Sequence, residues 1–178
     1  MKKTIIIVRH GETTKNKTNS DRGLTLVGRK QMVLSATKIK KLLSPKGKIA
    51  IVFGNSRRTM LSANIISTML NNSVVFSSPN LRLEGFSRFA ERLSNPVQRY
   101  IESSLNNKLP EYVETPAIAI NKFNSVTDSL LSRFDVIIVV SHGGFLDVIA
   151  KFHPLFIKAN RTPINYGKFR HIFFEDNL

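Results

Sequence analysis

Two segments of the sequence place a histidine one residue after a run of aliphatic residues and directly before a glycine. Residues 5–8 are aliphatic and precede Arg9 and His10, and residues 136–140 are aliphatic and lie just ahead of His142. Such runs are typical of strands that are buried on both faces of a parallel sheet. Because ligands bind at the carboxyl ends of these strands, we expect both histidines to lie in one crevice.

The chemistry that these groups favour is the binding and transfer of a phosphoryl group. His142 lies just before a helix predicted over residues 145–150, whose free N–H groups attract anions. Arg57 and Arg58 come shortly after a further apolar run, residues 49–53. Guanidinium groups bind phosphate oxygens in pairs and neutralise the charge of a phosphoryl group in transfer. Nearby cations disfavour an imidazolium ion, so we expect His10 to be neutral near pH 7.

Two other uses of these residues are disfavoured. The chain has no cysteine and no His-x-x-x-His spacing, and the adjacent arginines would repel a metal ion. A hydrolase triad built on Ser141 would call for a Gly-x-Ser-x-Gly elbow, which the sequence does not contain. We therefore predict neither a metal site nor a serine nucleophile.

The two histidine segments resemble the motifs of a known family. Residues 9–13, RHGET, with Asn16 three residues further on, are similar to the RHGET-x-x-N signature of the histidine phosphatase superfamily, which is phosphoglycerate-mutase-like. Residues 140–144, VSHGG, are similar to the second histidine motif of that superfamily. The resemblance extends from Lys3 to about Phe174 and is most specific in the first motif.

The resemblance implies a role for each of these residues. His10 would be the nucleophile that forms a phosphohistidine intermediate, and Arg9, His142 and an arginine after the second strand would hold the phosphoryl oxygens. Asn16 would contact the phosphate or the leaving group, and Gly143 would contribute to the phosphate site. The resemblance implies no metal and no organic cofactor.

The residues around Arg57 and Arg58 indicate which of the two matches the phosphate-binding arginine of the family. Arg58 fits the family pattern better than Arg57, because residues 62–63, Ser-Ala, stand where the family has Thr-Ala. Gly54 replaces an expected serine and Leu61 replaces the usual glutamine, so both arginines remain candidates.

The sequence identifies the acid that would protonate the leaving group less clearly than it identifies the other site residues. The family carries this acid in a Leu-Arg-Glu-like segment, and Glu84 is the nearest match, displaced by one position. Glu91 and Glu111 are the alternatives, and without the resemblance Glu84 would be interpreted as an exposed loop carboxylate. Glu12 is expected to anchor its loop rather than to take part in the chemistry.

The order of elements predicts an α/β fold: a three-layer α/β/α sandwich with a mostly parallel sheet, phosphoglycerate-mutase-like. Residues 1–178 are expected to form a single domain, with a small cap-like insertion around residues 86–115. A helix capped by Thr25 is predicted to continue to Leu42. Further helices are predicted over residues 59–70, 97–105 and 115–132, and strands over residues 49–53, 74–76 and 169–174.

Composition limits the partners of the protein. The net charge of +15 and the pI near 10.5 favour anionic partners. We expect a small phosphorylated substrate or a phosphoprotein; nucleic acid is possible but not favoured, because aromatic residues do not alternate with the basic ones. No apolar run reaches the roughly 18 to 20 residues that a membrane span needs, and a cytoplasmic location is the default expectation. The sequence does not indicate an oligomeric state.

Three functions are compatible with these motifs. The first is a phosphatase that hydrolyses a phosphomonoester through phosphohistidine, which is a metal-independent phosphoric monoester hydrolase. The second is a phosphoglycerate-mutase-type phosphotransferase, although family mutases are longer and have larger caps. The third is a catalytically weak basic protein that binds polyanions with the same fold. The intact His10, His142 and Arg9 favour the phosphatase.

Overall fold

The sheet has the predicted architecture. The computed structural model describes residues 2–14, 22–43, 47–91, 93–157 and 165–175. Within these ranges one sheet has the order β3-β2-β4-β1-β5, in which β5 runs antiparallel to β1 and the other pairs are parallel. The strands are β1 (Lys2–Arg9), β2 (Ile49–Gly54), β3 (Ser73–Ser78), β4 (Val136–Ser141) and β5 (Phe169–Glu175).

Helices cover both faces of this sheet. They are α1 (Leu26–Leu42), α2 (Arg57–Leu70), α3 (Phe86–Ala90), α4 (Pro96–Leu105), α5 (Pro116–Leu131), α6 (Gly143–Phe152) and α7 (Pro154–Ile157). The sheet residues Ile6 and Val8 share one apolar cluster with Met32 of α1 and Ile66 of α2. The alternate residues of β1 share a second cluster with residues of α5 and α6, as expected for a strand whose side chains point to opposite faces.

Side-chain caps fix where the helices begin. The hydroxyl of Thr25 accepts a hydrogen bond from the Gly28 N–H at 2.9 Å, as predicted. Ser56 caps α2 by accepting from the Thr59 N–H, so this helix begins at Arg57, two residues before the predicted start at position 59. The cap places both Arg57 and Arg58 in the first helical turn.

The strand order brings the two histidine segments together. Strand β4 lies between β1 and β2, and Arg9 is directly opposite Ser141 in the parallel register. The backbone N–H of His10 then donates to the Ser141 carbonyl at 3.1 Å. The carboxyl ends of β1, β4 and β2 therefore form one continuous edge, and His10, His142 and the start of α2 follow it.

Helices α3 and α4 lie within residues 86–115, where the sequence predicts a cap-like insertion, and that role remains a prediction. None of the helices in the described ranges combines the length and the apolar character needed to cross a membrane.

Candidate active site

His10 is held in one tautomer by the turn that follows β1. Its side chain is buried, with 6% exposed, and its Nδ1 lies 2.8 Å from the carbonyl oxygen of Gly11. A carbonyl oxygen can only accept, so Nδ1 is the nitrogen that carries the proton. The lone pair of the neutral ring is consequently on Nε2, which is the arrangement that a nucleophilic imidazole needs.

The surroundings keep His10 neutral. Burial lowers its pKa from 6.5 to about 3. The hydrogen bond to Gly11 opposes this change, whereas the positive charges of Arg58, Arg9 and Arg22 add to it. The unprotonated ring is therefore the dominant form at pH 7.

His142 lies beside His10 at the end of β4. The two ring centroids are 5.3 Å apart and the ring planes meet at 71°. Burial, and then the charge of Arg58, hold the pKa of His142 well below its usual value. Its Nδ1 is buried and has no hydrogen-bond partner among the described residues. The site therefore contains two neutral imidazoles, one of which has an unused polar atom.

The lowered histidine pKa values predict that acid destabilises the fold. His10, His142 and His153 all have a pKa below 6.5 in the folded state, so the unfolded chain binds more protons as the pH falls below 6.5. Each histidine then reduces the free energy of unfolding by up to about 1.4 kcal/mol per pH unit. We expect urea titrations to show stability falling steadily between pH 7 and pH 5.

The variant His10→Asn keeps a hydrogen-bond donor for the Gly11 carbonyl but does not titrate in this range. The free energy of unfolding of this variant is expected to change less steeply with pH than that of the wild type. The difference in slope corresponds to about one proton fewer taken up on unfolding. A wild-type profile that is flat across this interval would contradict the buried, neutral histidines.

Arg9 is enclosed by backbone and an aromatic ring. A Cβ at position 143 would lie 2.6 Å from the Arg9 Cζ, so the guanidinium packs directly against the Gly143 backbone. The ring of Tyr166 lies on Arg9, with its centroid 4.1 Å from Cζ. The N–H of Gly167 donates to the carbonyls of Arg9 and His10 at 3.1 and 3.2 Å. These contacts fix the cation next to the proposed nucleophile.

Arg58, and not Arg57, faces the two histidines. Arg58 lines the cleft and lowers the pKa of both imidazoles, whereas Arg57 is exposed and is not part of the cleft lining. Burial, followed by the charge of Arg22, lowers the pKa of Arg58 itself. The hydroxyl of Ser62 accepts from the Gly11 N–H at 3.3 Å and donates to the Arg58 carbonyl at 2.8 Å. Ser62 thus joins the helix of Arg58 to the turn after His10.

These groups line a cleft of about 700 Å³, within the range of small-molecule sites. Of the predicted residues, it brings together Arg9, His10, Arg58, Glu84, His142 and Gly143. Asn16 lies outside the described residues. Glu91 and Glu111, the alternatives to Glu84, are exposed and do not line the cleft.

Glu84 is positioned by two other side chains. Its carboxylate accepts a hydrogen bond from the Arg82 Nε at 2.5 Å and is 45% exposed. Its backbone N–H donates to the Glu114 Oε2 at 3.0 Å, and its carbonyl accepts from the Glu114 N–H at 3.3 Å. Lys122 in turn binds the Glu114 carboxylate. These contacts fix the Glu84 backbone at the cleft, while its role as the acid remains a prediction.

Glu12 anchors its loop, as predicted. Its carboxylate accepts from the Thr25 hydroxyl at 2.9 Å, and its N–H donates to the Gln31 Oε1 at 2.9 Å. The Glu12 carbonyl packs so closely on Gly28 that a Cβ there would lie 2.1 Å from the oxygen. The loop after His10 is therefore tied to the start of α1 and forms one rim of the cleft.

Sequence analysis missed several residues of the cleft lining, among them Arg22, Arg82, Arg88 and Tyr166. Tyr166 precedes β5, and its ring centroid is 5.5 Å from that of His10. A last strand that runs antiparallel to β1 must begin where β1 ends. The predicted strand 169–174 could therefore have indicated that Tyr166, just before it, lies near His10. Arg22 and Arg82 lie in irregular segments and Arg88 lies in the short helix α3, and none of these segments gives a comparable signal.

No group of three or more histidine, cysteine or carboxylate side chains that could hold a metal ion occurs within the part of the chain that the structure describes.

Comparison with known proteins identifies the family. The profile of the histidine phosphatase superfamily (branch 1) matches residues 5–161, and the chain belongs to this superfamily. Comparison with curated protein sequences gives no match. The resemblance predicted from the two histidine motifs is therefore confirmed at the level of the family.

Solved structures share the fold at low sequence identity. A mycobacterial glucosyl-3-phosphoglycerate phosphatase is 16% identical with a TM-score of 0.69, and the match covers 95% of this chain and 89% of that one. A phosphoglycerate mutase from Bacillus anthracis str. Sterne is 14% identical with a TM-score of 0.68, covering 99% and 90%. YhfR from Bacillus stearothermophilus is 16% identical with a TM-score of 0.68, covering 95% and 90%. The predicted phosphoglycerate-mutase-like fold, with four parallel strands flanked by helices, is thus confirmed.

Proposed function

We propose that this protein is a phosphatase that hydrolyses a phosphomonoester through a phosphohistidine intermediate on His10. The observation that carries the proposal is the state of His10: a buried, neutral ring whose Nδ1–H binds the Gly11 carbonyl, leaving Nε2 as the nucleophile. Arg9 and Arg58 line the same cleft and supply charge for the phosphoryl oxygens. These cations distinguish the site from a buried histidine that only stabilises the fold.

The first step would transfer the phosphoryl group to the enzyme. Nε2 of His10 attacks phosphorus, the bond from phosphorus to the ester oxygen breaks, and Glu84 gives its proton to that oxygen. Arg9, Arg58 and His142 hold the equatorial oxygens, with the N–H of Gly143 at the start of α6 beside them. Asn16 would contact the phosphate or the leaving group.

The second step would release phosphate. Glu84, now a carboxylate, takes a proton from water as the water oxygen attacks phosphorus. The phosphorus–nitrogen bond breaks, and the electron pair returns to Nε2 of His10. All the groups needed are side chains of this chain, so we propose no metal or organic cofactor.

A second candidate is a protein that binds polyanions without turnover. The observation favouring it is the charge of the cleft lining: among the described residues it includes five arginines, and Glu84 is the only carboxylate there. A mutase would use the same first step and return the phosphoryl group to an acceptor other than water. Phosphate release into solution separates hydrolysis from both alternatives.

The experiment is the hydrolysis of 4-nitrophenyl phosphate by the purified protein, with and without excess chelator. We expect release of nitrophenol and an equal amount of inorganic phosphate, at the same rate in both samples. Loss of turnover in chelator would replace the phosphohistidine route by a metal-dependent one. The polyanion-binding function would be favoured if aryl phosphate, sugar phosphates, nucleotides and phosphoproteins all remained intact.

A further inference from the structure

The positive charge of the chain is concentrated in one segment that contains no acid. Residues 22–83 include eleven lysines and arginines and no aspartate or glutamate. Arg22, Arg58 and Arg82 of this acid-free segment line the cleft, and its other cations have no part in the chemistry proposed above. An uneven distribution of this kind gives one side of a protein a field that attracts anionic surfaces.

The fold places the two helices of the acid-free segment together on one face of the sheet. Helices α1 and α2 contact each other and pack on the apolar cluster that contains Ile6 and Val8. Helices α5 and α6, which carry Asp128 and Asp147, pack on the opposite cluster. The layer formed by α1 and α2 is therefore the basic side of the described structure.

Helix α1 presents most of this charge to solvent. It contains no aspartate or glutamate, and its five cations are all exposed: Arg29, Lys30, Lys38, Lys40 and Lys41. Within the described residues, none of these cations forms an ion pair with a carboxylate. Glu12, which contacts the start of the helix, is already bound by the Thr25 hydroxyl. The charge of α1 thus remains available to a partner.

The same helix exposes aliphatic side chains among these cations. Leu26 is 71% exposed and Leu34 is 63% exposed, and Val27 and Val33 are exposed as well. Leu26, Lys30 and Leu34 are spaced four positions apart, so they lie on one face of the helix. The outward face of a surface helix is ordinarily polar, and packing within the described structure does not account for these leucines.

We propose that the outer face of α1 is a docking surface for a bilayer that contains anionic lipid. Its lysines and arginine bind the anionic headgroups, and its leucines enter the boundary between headgroups and acyl chains. Nucleic acid fits this face less well, because α1 and α2 have no aromatic residue on which a base could stack. A phosphate backbone would also leave the leucines exposed. The inference is independent of the proposed phosphatase function, since no residue of α1 lines the cleft.

The test is sedimentation of the wild-type protein with two kinds of vesicle. One is phosphatidylcholine alone, and the other contains about one-third phosphatidylglycerol. We expect the apparent Kd to be at least about tenfold lower on the anionic vesicles, with a preference that decreases as salt is added. Absence of binding to the anionic vesicles at low salt would overturn the docking surface.

A first pair of variants tests where the charge acts. Lys30→Gln/Lys41→Gln removes two charges from α1, and Lys108→Gln/Arg133→Gln removes two exposed charges outside the acid-free segment. We expect the first variant to weaken binding to anionic vesicles by about tenfold or more and the second by less than about threefold. Equal losses would overturn the proposal, because the general field of the protein would then be the cause.

A second pair of variants tests the apolar contact. Leu26→Ser/Leu34→Ser acts on α1, and its control Leu105→Ser/Ile118→Ser removes side chains that are 65% and 45% exposed on α4 and α5. We expect at least about fivefold weaker binding to anionic vesicles from the first variant and less than about twofold from the control. Circular dichroism would confirm that each variant is folded.

Unchanged vesicle binding by folded Leu26→Ser/Leu34→Ser would overturn the docking surface, since the contact would then be electrostatic alone. Binding of a short DNA duplex, weakened by Lys30→Gln/Lys41→Gln, would in that case identify the face as a nucleic-acid surface instead.

Discussion

Replacement of His10 by alanine is expected to lower kcat/KM for 4-nitrophenyl phosphate by at least about 10⁴-fold, the scale seen when a covalent nucleophile is removed. No other described side chain offers a neutral nitrogen fixed in this way at the end of β1. The measurement is steady-state hydrolysis in the presence of chelator, with circular dichroism confirming that the variant is folded.

His153→Gln is the matched control for this substitution. His153 is also buried, but its Nε2 lies 2.8 Å from the Asn124 Oδ1 and its ring packs on Phe123 and Phe156, away from the cleft. We expect this variant to lose stability and to keep its activity within about threefold. A folded His10→Ala protein with activity close to that of the wild type would mean that the nucleophile is another group.

Arg58→Gln is expected to reduce kcat/KM by about 10³-fold, the lower end of the range for an arginine that stabilises a phosphoryl transition state. The physical reason is that Arg58 is partly buried in the cleft, where its positive charge acts on both imidazoles and on a phosphoryl group bound beside them. The effect should appear in kcat as well as in KM, because the charge on the phosphoryl oxygens is redistributed during transfer.

Arg57→Gln is its control. The two arginines are adjacent in sequence and differ in orientation, since Arg57 is exposed and outside the cleft lining. Removal of Arg57 is expected to change activity by less than about twofold, through the weak field of a screened charge. Similar losses from the two substitutions would show that net charge, and not the placement of Arg58, supports activity.

The sequence was most informative where strands end. A buried parallel strand must present its carboxyl end at one edge of the sheet, so aliphatic runs followed by His10 and His142 sufficed to predict a shared crevice. The choice between Arg57 and Arg58 could not be made in the same way. It depends on the rotation of α2, which is set by the cap at Ser56 and by the bond between Ser62 and Gly11.

The positions of Glu84 and Arg88 in the cleft depend on tertiary contacts, which local sequence patterns do not show. The backbone of Glu84 is held by Glu114, 30 positions further along the chain, and Arg88 is oriented by Tyr112. Neither pair has a periodic pattern that sequence analysis could detect. Tyr166 is intermediate: its turn has no motif, but the antiparallel β5 determines that it lies beside Arg9 and His10.

The most direct test of the phosphohistidine mechanism is to trap the intermediate. The protein would be mixed with 4-nitrophenyl phosphate, quenched rapidly in base during turnover, digested and analysed by mass spectrometry. The account predicts one phosphoryl group on the peptide that contains His10, stable in base and lost in acid, and none in His10→Ala. A phosphoryl group on a different residue during turnover, or rapid turnover with no phosphorylated peptide at any quench time, would contradict it.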